Sequence, residues 1–272
     1  MQREIIDTLN AASDIDLDSE IIRRVNFMVD YLHHTGANGL VLGISGGVDS
    51  TVAGRLCQMA VEQYRRVNPE WEGRFYGVQL PYHVQADADD AEAAMEFIGP
   101  DRDVTFQIGS ATDAFSDAFN DALEEHPSDY NLGNVKARMR MVAQYAVAGQ
   151  YNALVVGSDQ AAESLTGFFT KFGDGSADIM PLSGLTKTQV RDMGSRLGAD
   201  SRLVDKVPTA DLLTDNPGRT DEDELGVSYG DIDAFLEGKT IDDDAAAKLE
   251  STYQRSKHNR RMPVTPFDTW WH

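Results

Sequence analysis

The chain of 272 residues has a single cysteine, Cys57. A disulfide framework and a cysteine-based zinc cluster are therefore excluded, and any metal has to be held by oxygen or histidine. No apolar run approaches the ~20 residues that span a bilayer. The opening MQREIIDTLNAASDIDLDSE lacks the layout of a signal peptide, so a cytoplasmic protein with no membrane partner is expected. Positive charge is also scarce: 24 Lys and Arg face 45 Asp and Glu, a formal charge of −21. Nucleic acid is not an expected partner, because its phosphates demand local positive charge. Against this background two basic islands, KARMR at 136–140 and KHNRR at 257–261, stand out as candidate contacts for small anions. Repeats, linkers and low-complexity tracts are missing too, and the 41% hydrophobic content suits one globular unit spanning 1–272.

What is present is concentrated first in LVLGISGGVDSTVAG at 40–54. Leu40, Val41, Leu42 and Ile44 read as a buried parallel strand, and Val52, Leu56, Met59 and Ala60 recur at helical spacing after it. The glycine pair Gly46-Gly47 thus joins a strand to a helix N-terminus, where unpaired N–H groups and the helix dipole favour an anion such as phosphate. The turn is not a Walker A loop, because an acid, Asp49, stands before Ser50 where that loop has lysine. An acid beside a phosphate cradle makes sense if a hard divalent cation lies between them. The plainer alternative is that Asp49 and Ser50 merely cap the helix.

Beyond the turn, strand and helix patterns alternate. Helices are expected near 20–32, 87–97, 134–148 and 186–197, and strands at 74–80, 103–108 and 153–157. Such alternation predicts an α/β fold: a doubly wound parallel sheet with helices on both faces and ligands at the carboxyl ends of its strands. Both Gly-Ile-Ser-Gly-Gly and Gly157-Ser158-Asp159 lie at such ends. Residues 205–229, rich in Asp, Glu, Thr, Pro and Gly, read as a long loop and a candidate mobile lid. The C-terminal Pro263, Pro266, Trp270 and Trp271 suggest an extended tail packed on the body.

A second constellation follows Gly157. It runs through Ser158, Gln160, Ala161-Ala162-Glu163, Thr166-Gly167-Phe168-Phe169-Thr170-Lys171, Gly173-Asp174-Gly175 and Asp178. With Gly-Ile-Ser-Gly-Gly-x-Asp-Ser at 43–50, Leu-Pro-Tyr-x-Val-Gln-Ala-Asp at 80–87, Asn-x-x-Ala-Arg at 134–138, Pro-Thr-Ala-Asp-Leu at 208–212 and His-x-Arg-Arg at 258–261, the sequence resembles the ammonia-dependent NAD synthetases over nearly its whole length. These belong to the N-type ATP pyrophosphatase superfamily, with an adenine nucleotide alpha hydrolase-like fold. The first motif alone also fits asparagine, argininosuccinate and GMP synthetases and tRNA-modifying relatives; the later ones are narrower.

The resemblance implies that Gly43, Ile44, Ser45, Gly46, Gly47, Val48, Asp49 and Ser50 hold the phosphates of ATP, a co-substrate. It places Asp49 and Glu163 on Mg2+, and Ser158, Lys187 and Thr209 on the remaining ATP contacts, with Asp49 and Lys187 acting in catalysis. Arg138, Lys171, Asp178, His258 and Asn259 fall on the positions for deamido-NAD. The implied reaction activates the nicotinate carboxylate as an adenylate, releases pyrophosphate, and lets ammonia displace AMP. A homodimer is implied as well. Val48, Ser158, Gln160 and Asn259 stand where Gln, Thr, His and Lys are usual, and Gln79 replaces an Arg, which alters the adenine-side contact. A thiolating relative would need catalytic cysteines, and a non-catalytic regulator would be expected to lose Asp49 or Glu163; neither condition fits this sequence. A glutamine-hydrolysing enzyme would need a further amidase domain, so free ammonia is the expected nitrogen source.

Overall fold

The computed structural model describes residues 1–83, 88–209 and 220–271. Helices α1 (Gln2–Leu9) and α2 (Leu17–Thr35) precede β1 (Gly39–Gly43), α3 (Val48–Val67), β2 (Arg74–Gln79), α4 (Ala88–Ile98) and β3 (Arg102–Thr105). The chain continues through α5 (Gly109–Leu123), α6 (Asp129–Tyr151), β4 (Leu154–Val155), α7 (Ala161–Thr166) and α8 (Lys187–Arg196). It ends with α9 (Ser201–Val204), α10 (Asp221–Leu225), α11 (Tyr229–Leu236) and α12 (Asp243–Arg255).

The sheet has the order β3-β2-β1-β4 and all its pairs are parallel, with Leu40 opposite Phe75 on one side and Leu154 on the other. Alternation along each strand divides the core. Leu40, Leu42 and Phe75 pack with α2, α3, α4 and α8 on one face, while Val41, Tyr76 and Val78 pack with α6 on the other. Strands buried on both faces account for the unbroken apolar run of β1. A third cluster joins α1, α7, α11 and α12 through Ile5, Leu165, Phe235 and Leu249.

The chain proceeds outward from β1 to β2 and β3, then returns to place β4 on the opposite side of β1. The strand order reverses between β1 and β4, and the crevice beyond their carboxyl ends is where open α/β sheets take their ligands. The expected doubly wound sheet is therefore present. Several boundaries differ. The helix read at 134–148 gains turns at both ends, because Ser128 caps it and Asn152 closes it in the left-handed region. The strand read at 153–157 shortens to β4, although Val156 continues extended: its N–H donates to Val41 O and it bridges Ile179. The strand read at 103–108 ends at Thr105, since Ile108 caps α5. The long loop read at 205–229 is not structureless. Thr209 bridges Thr220, α10 follows, and α11 begins at Tyr229, while 210–219 lie outside the described residues. Also outside are Val84, Gln85, Ala86 and Asp87 of the 80–87 motif. In the tail, the Lys257 ammonium donates to Trp270 O at 3.1 Å, but Phe267 stands 93% exposed.

Candidate active site

The glycine turn is shaped by contacts on both sides. Gly46 has φ +79°, and a Cβ there would lie 2.6 Å from the Ala91 backbone nitrogen and 2.8 Å from the Asp90 carbonyl carbon. Only glycine lets the turn rest so closely on the first turn of α4. Ser50 Oγ donates to Gly47 O at 3.1 Å and lies 3.2 Å from Ser45 Oγ, pinning the turn internally. Gly47 is the N-cap of α3, and no side chain caps that terminus. The capping alternative for Asp49 and Ser50 therefore fails, and the first N–H groups of α3 are left for a ligand.

Asp49 points elsewhere. Its Oδ2 accepts from the Lys187 ammonium at 2.6 Å, in a pair whose side chains are 14% and 4% exposed. Lys187 opens α8, with Thr186 as cap in a reciprocal capping box with Gln189. The buried Asp233 of α11 fixes this end, accepting from the N–H groups of Lys187 at 3.1 Å and Thr188 at 2.8 Å. Tyr229 of the same helix lays its ring 5.1 Å from the Lys187 ammonium and donates its hydroxyl to Asp221 at 3.0 Å. Glu163 arrives from α7, where Gln160 and Glu163 form another capping box.

Carboxylates outnumber cations here. Asp159 is pushed well above the usual range by burial and by Asp174 and Asp49; Glu163 is pushed likewise by burial, Asp49 and Asp159. Asp174, reached by solvent through the cleft, and Asp221 are raised as well, burial being the largest cause in each. Burial would depress Lys187, but Asp49 and Glu163 outweigh it and hold the ammonium above its usual value. Asp49 Oδ1 and Asp221 Oδ1 are buried with no hydrogen-bond partner. Like charges gathered in a cleft with unpaired oxygens favour binding a cation.

A cleft of about 380 Å³ opens over these groups. Of the residues anticipated for ATP and metal, Gly43, Ile44, Ser45, Gly47, Val48, Asp49, Ser50, Ser158, Glu163, Lys187 and Thr209 line it; Gly46 lies behind the turn against α4. The residues anticipated for deamido-NAD divide. Asn259 lines the cleft. Arg138 donates to Lys171 O at 3.3 and 3.2 Å, and the Lys171 ammonium donates to His258 O at 2.6 Å, so these three form a chain beside the cleft. Asp178 accepts the Val155 N–H at 2.7 Å and so ties down β4. Gln79 is turned toward β3, accepting from the Thr105 hydroxyl at 3.2 Å.

Asp174, Asp221, Tyr229 and Asp233 were not singled out from the sequence, and Asp159 was named only within Gly157-Ser158-Asp159 at a strand end. Asp174 stood in the quoted Gly-Asp-Gly, and Thr220-x-x-Asp223 carried a helix-cap signal that would have placed Asp221 on α10.

An all-parallel sheet with a glycine phosphate turn at its switch point, an acid in place of the Walker lysine, and a lysine arriving from another helix defines an α/β nucleotide-binding protein of the adenine nucleotide alpha hydrolase-like fold. The sequence profile of one family within that class, NAD synthase, matches residues 20–263. The chain belongs to the NAD synthase family. It is 54% identical over 271 residues to an NH(3)-dependent NAD(+) synthetase of Bacillus thuringiensis subsp. konkukian, covering 100% of this chain and 99% of the relative. The NAD+ synthetase structure from Burkholderia pseudomallei is similar at TM-score 0.83 and 45% identity, with 96% of each chain covered. An NMN synthetase from Francisella tularensis is similar at TM-score 0.82 and 35% identity, covering 94% of this chain and 100% of that one.

Proposed function

We propose that this chain is a C–N bond-forming ligase that amidates deamido-NAD with ammonia at the expense of ATP. The products are NAD, AMP and pyrophosphate, and the reaction is the last step of NAD biosynthesis. The observation that carries the reading is the Lys187–Asp49 pair at the glycine turn, in a chain matched end to end by relatives bearing that activity in their names. A carboxylate oxygen is a poor leaving group, so the nicotinate carboxylate first attacks the α-phosphorus of ATP and pyrophosphate departs. Ammonia then attacks the acyl carbon, and AMP leaves with one of the former carboxylate oxygens.

The residues have distinct tasks in this scheme. The turn from Gly43 to Ser50 holds the phosphates through the N–H groups that open α3, since the Gly43 and Ile44 N–H groups already donate to Gln144 Oε1 and Val78 O. Lys187, charged at neutral pH and fixed by Asp233, faces the negative charge that builds as pyrophosphate leaves. Among the described residues no three His, Cys, Asp or Glu side chains form a ready metal cage. Two carboxylates completed by phosphate oxygens and water nevertheless suit magnesium, and the unpaired Asp49 Oδ1 fits that role. Held by Asp49 and Glu163, magnesium would supply positive charge against the phosphate oxygens. Ser158 and Thr209 complete the ATP contacts. Arg138, Lys171, Asp178, His258 and Asn259 receive deamido-NAD.

The same proposal takes the chain as one catalytic unit in a cytoplasmic homodimer. Phe115 and Leu123 of α5 and Val142 and Tyr151 of α6 support the dimer as exposed apolar side chains. Among the described residues no helix is long and apolar enough to cross a membrane.

The Francisella relative's name raises a second reading, amidation of nicotinate mononucleotide. Steady-state NAD formation from deamido-NAD, ATP and ammonium, compared with nicotinamide mononucleotide formation from nicotinate mononucleotide, separates the two. The proposal expects kcat/KM to favour deamido-NAD by at least about tenfold, a difference of about 1.4 kcal/mol. Preference for the mononucleotide would overturn it.

A further inference from the structure

Lys206 was not among the residues anticipated from the sequence, yet it lines the cleft with Ser45, Gly47 and Asp49 and stands three positions before Thr209. Its ammonium lies 3.0 Å from Asp90 Oδ2, and the side chain is 17% exposed. Arg202 also reaches Asp90, donating through Nε at 2.9 Å. Asp90 belongs to the turn of α4 on which Gly46 rests. The Lys206 charge is therefore held by the same turn of α4 on which the glycine turn rests, in the cleft that Lys187 also lines. Apart from Lys187, the cleft carries only Arg140 and Lys206 as cationic lining side chains among the described residues, and Arg140 Nε donates to Leu80 O at 3.1 Å.

We propose that Lys206 is a further phosphate-contacting residue, its ammonium transferring from Asp90 to the departing pyrophosphate. Asp90 carries two cationic partners, so it keeps Arg202 when Lys206 moves across. Two features favour the exchange. A polyphosphate offers more oxygen acceptors and more negative charge than the one carboxylate it would replace. The leaving pyrophosphate also gains charge on the bridging oxygen, so a cation on this wall acts more strongly in the transition state than in the ground state. The inference rests on the ATP-binding reading of the glycine turn.

Titration calorimetry with magnesium pyrophosphate tests it, alongside steady-state kinetics of NAD formation. Lys206→Gln is expected to weaken pyrophosphate binding and lower kcat for NAD formation by about tenfold each, while the KM for deamido-NAD changes by less than about twofold. Lys206→Arg restores binding. Asp90→Asn, which leaves Lys206 in place without its competitor, is expected to bind pyrophosphate no more weakly than the wild type. If Lys206 merely staples α9 to α4, Asp90→Asn and Lys206→Gln weaken binding alike, and the proposal is overturned. It is overturned too if Lys206→Gln binds as the wild type does while the wild type makes NAD. A wild-type chain that makes no NAD and binds no pyrophosphate would instead refute the ATP-binding reading itself.

Discussion

Glu163→Gln should produce a protein that is more stable and almost inactive. Gln preserves the volume and can keep the capping box, because its side-chain oxygen still accepts from the Gln160 N–H. What it removes is a charge facing Asp49 and Asp159 in a buried setting. Removing one of several like charges from a buried cluster is stabilising, by about 1.4 kcal/mol for each unit by which the folded pKa exceeds the unfolded one. Against this, an acid in the first turn of α7 draws about 0.3–1 kcal/mol from the helix dipole, and Lys187 loses one attractive neighbour. The expected net gain is about 1 kcal/mol, or about 2–4 °C in Tm for a chain of this size. Glu163 has its folded pKa raised above the unfolded one, so the folded state holds the proton between the two values and wild-type stability falls as pH rises through that window. The advantage of Gln therefore grows as pH rises through that window and vanishes on acidification below it, where the wild type takes up the proton itself. Calorimetric melts of both proteins without ligands, across a pH series, measure this directly. A Glu163→Gln protein that melts below the wild type at the alkaline end of the series, or whose advantage grows on acidification, would refute the picture of a strained carboxylate cluster.

Lys187→Met should lower kcat by about 10²–10³-fold, the loss expected for one preorganised donor to a developing negative charge, with the substrate KM values little changed; stopped-flow single turnovers check it, and a change confined to KM would contradict the assigned role. Cys57, fully buried with its thiol 3.9 Å from Met28 Sδ and its pKa pushed up by burial, should tolerate Cys57→Ser with ammonia-dependent activity retained. Glutamine-driven synthesis that this variant lost would overturn the ammonia assignment. Hydrogen exchange at Thr209 and across Asp221–Leu225 should slow when ATP and deamido-NAD bind, because the Thr209–Thr220 bridge and the Asp221 N–H to Pro208 O bond tie this segment to the cleft wall. Unchanged exchange at saturation would argue against closure over the adenylate.

The strand, glycine turn and helix were legible because their pattern is local: a buried strand, two glycines and an acid occur within ten or so residues, and the helix dipole follows from their order. The fold was legible for a similar reason, since alternating periods of strand and helix leave few ways to cover a parallel sheet. What escaped the sequence depends on distant pairing. Nothing near Asp233 announces that it caps α8, because its partners Lys187 and Thr188 lie 46 and 45 residues away. Asp178 reads as a candidate ligand contact in the glycine-broken stretch after Gly157, yet the fold gives one of its oxygens to Val155. Asp221 and Tyr229 were hidden inside a stretch whose polar composition outweighed two short helices, each started by its own Thr or Ser cap.

The central claim is that the carboxylate attacks the α-phosphorus of ATP, and the fate of its oxygen decides it. Deamido-NAD carrying heavy oxygen in the nicotinate carboxylate is converted with ATP and ammonium, and the nucleotide and phosphate products are examined by mass spectrometry. The account predicts one labelled oxygen in AMP with unlabelled pyrophosphate, because the carboxylate oxygen stays on phosphorus when ammonia takes the acyl carbon. Label in inorganic phosphate, with ADP as the co-product, would mean attack at the γ-phosphorus and would contradict both the role of Gly43 to Ser50 and the adenylating mechanism.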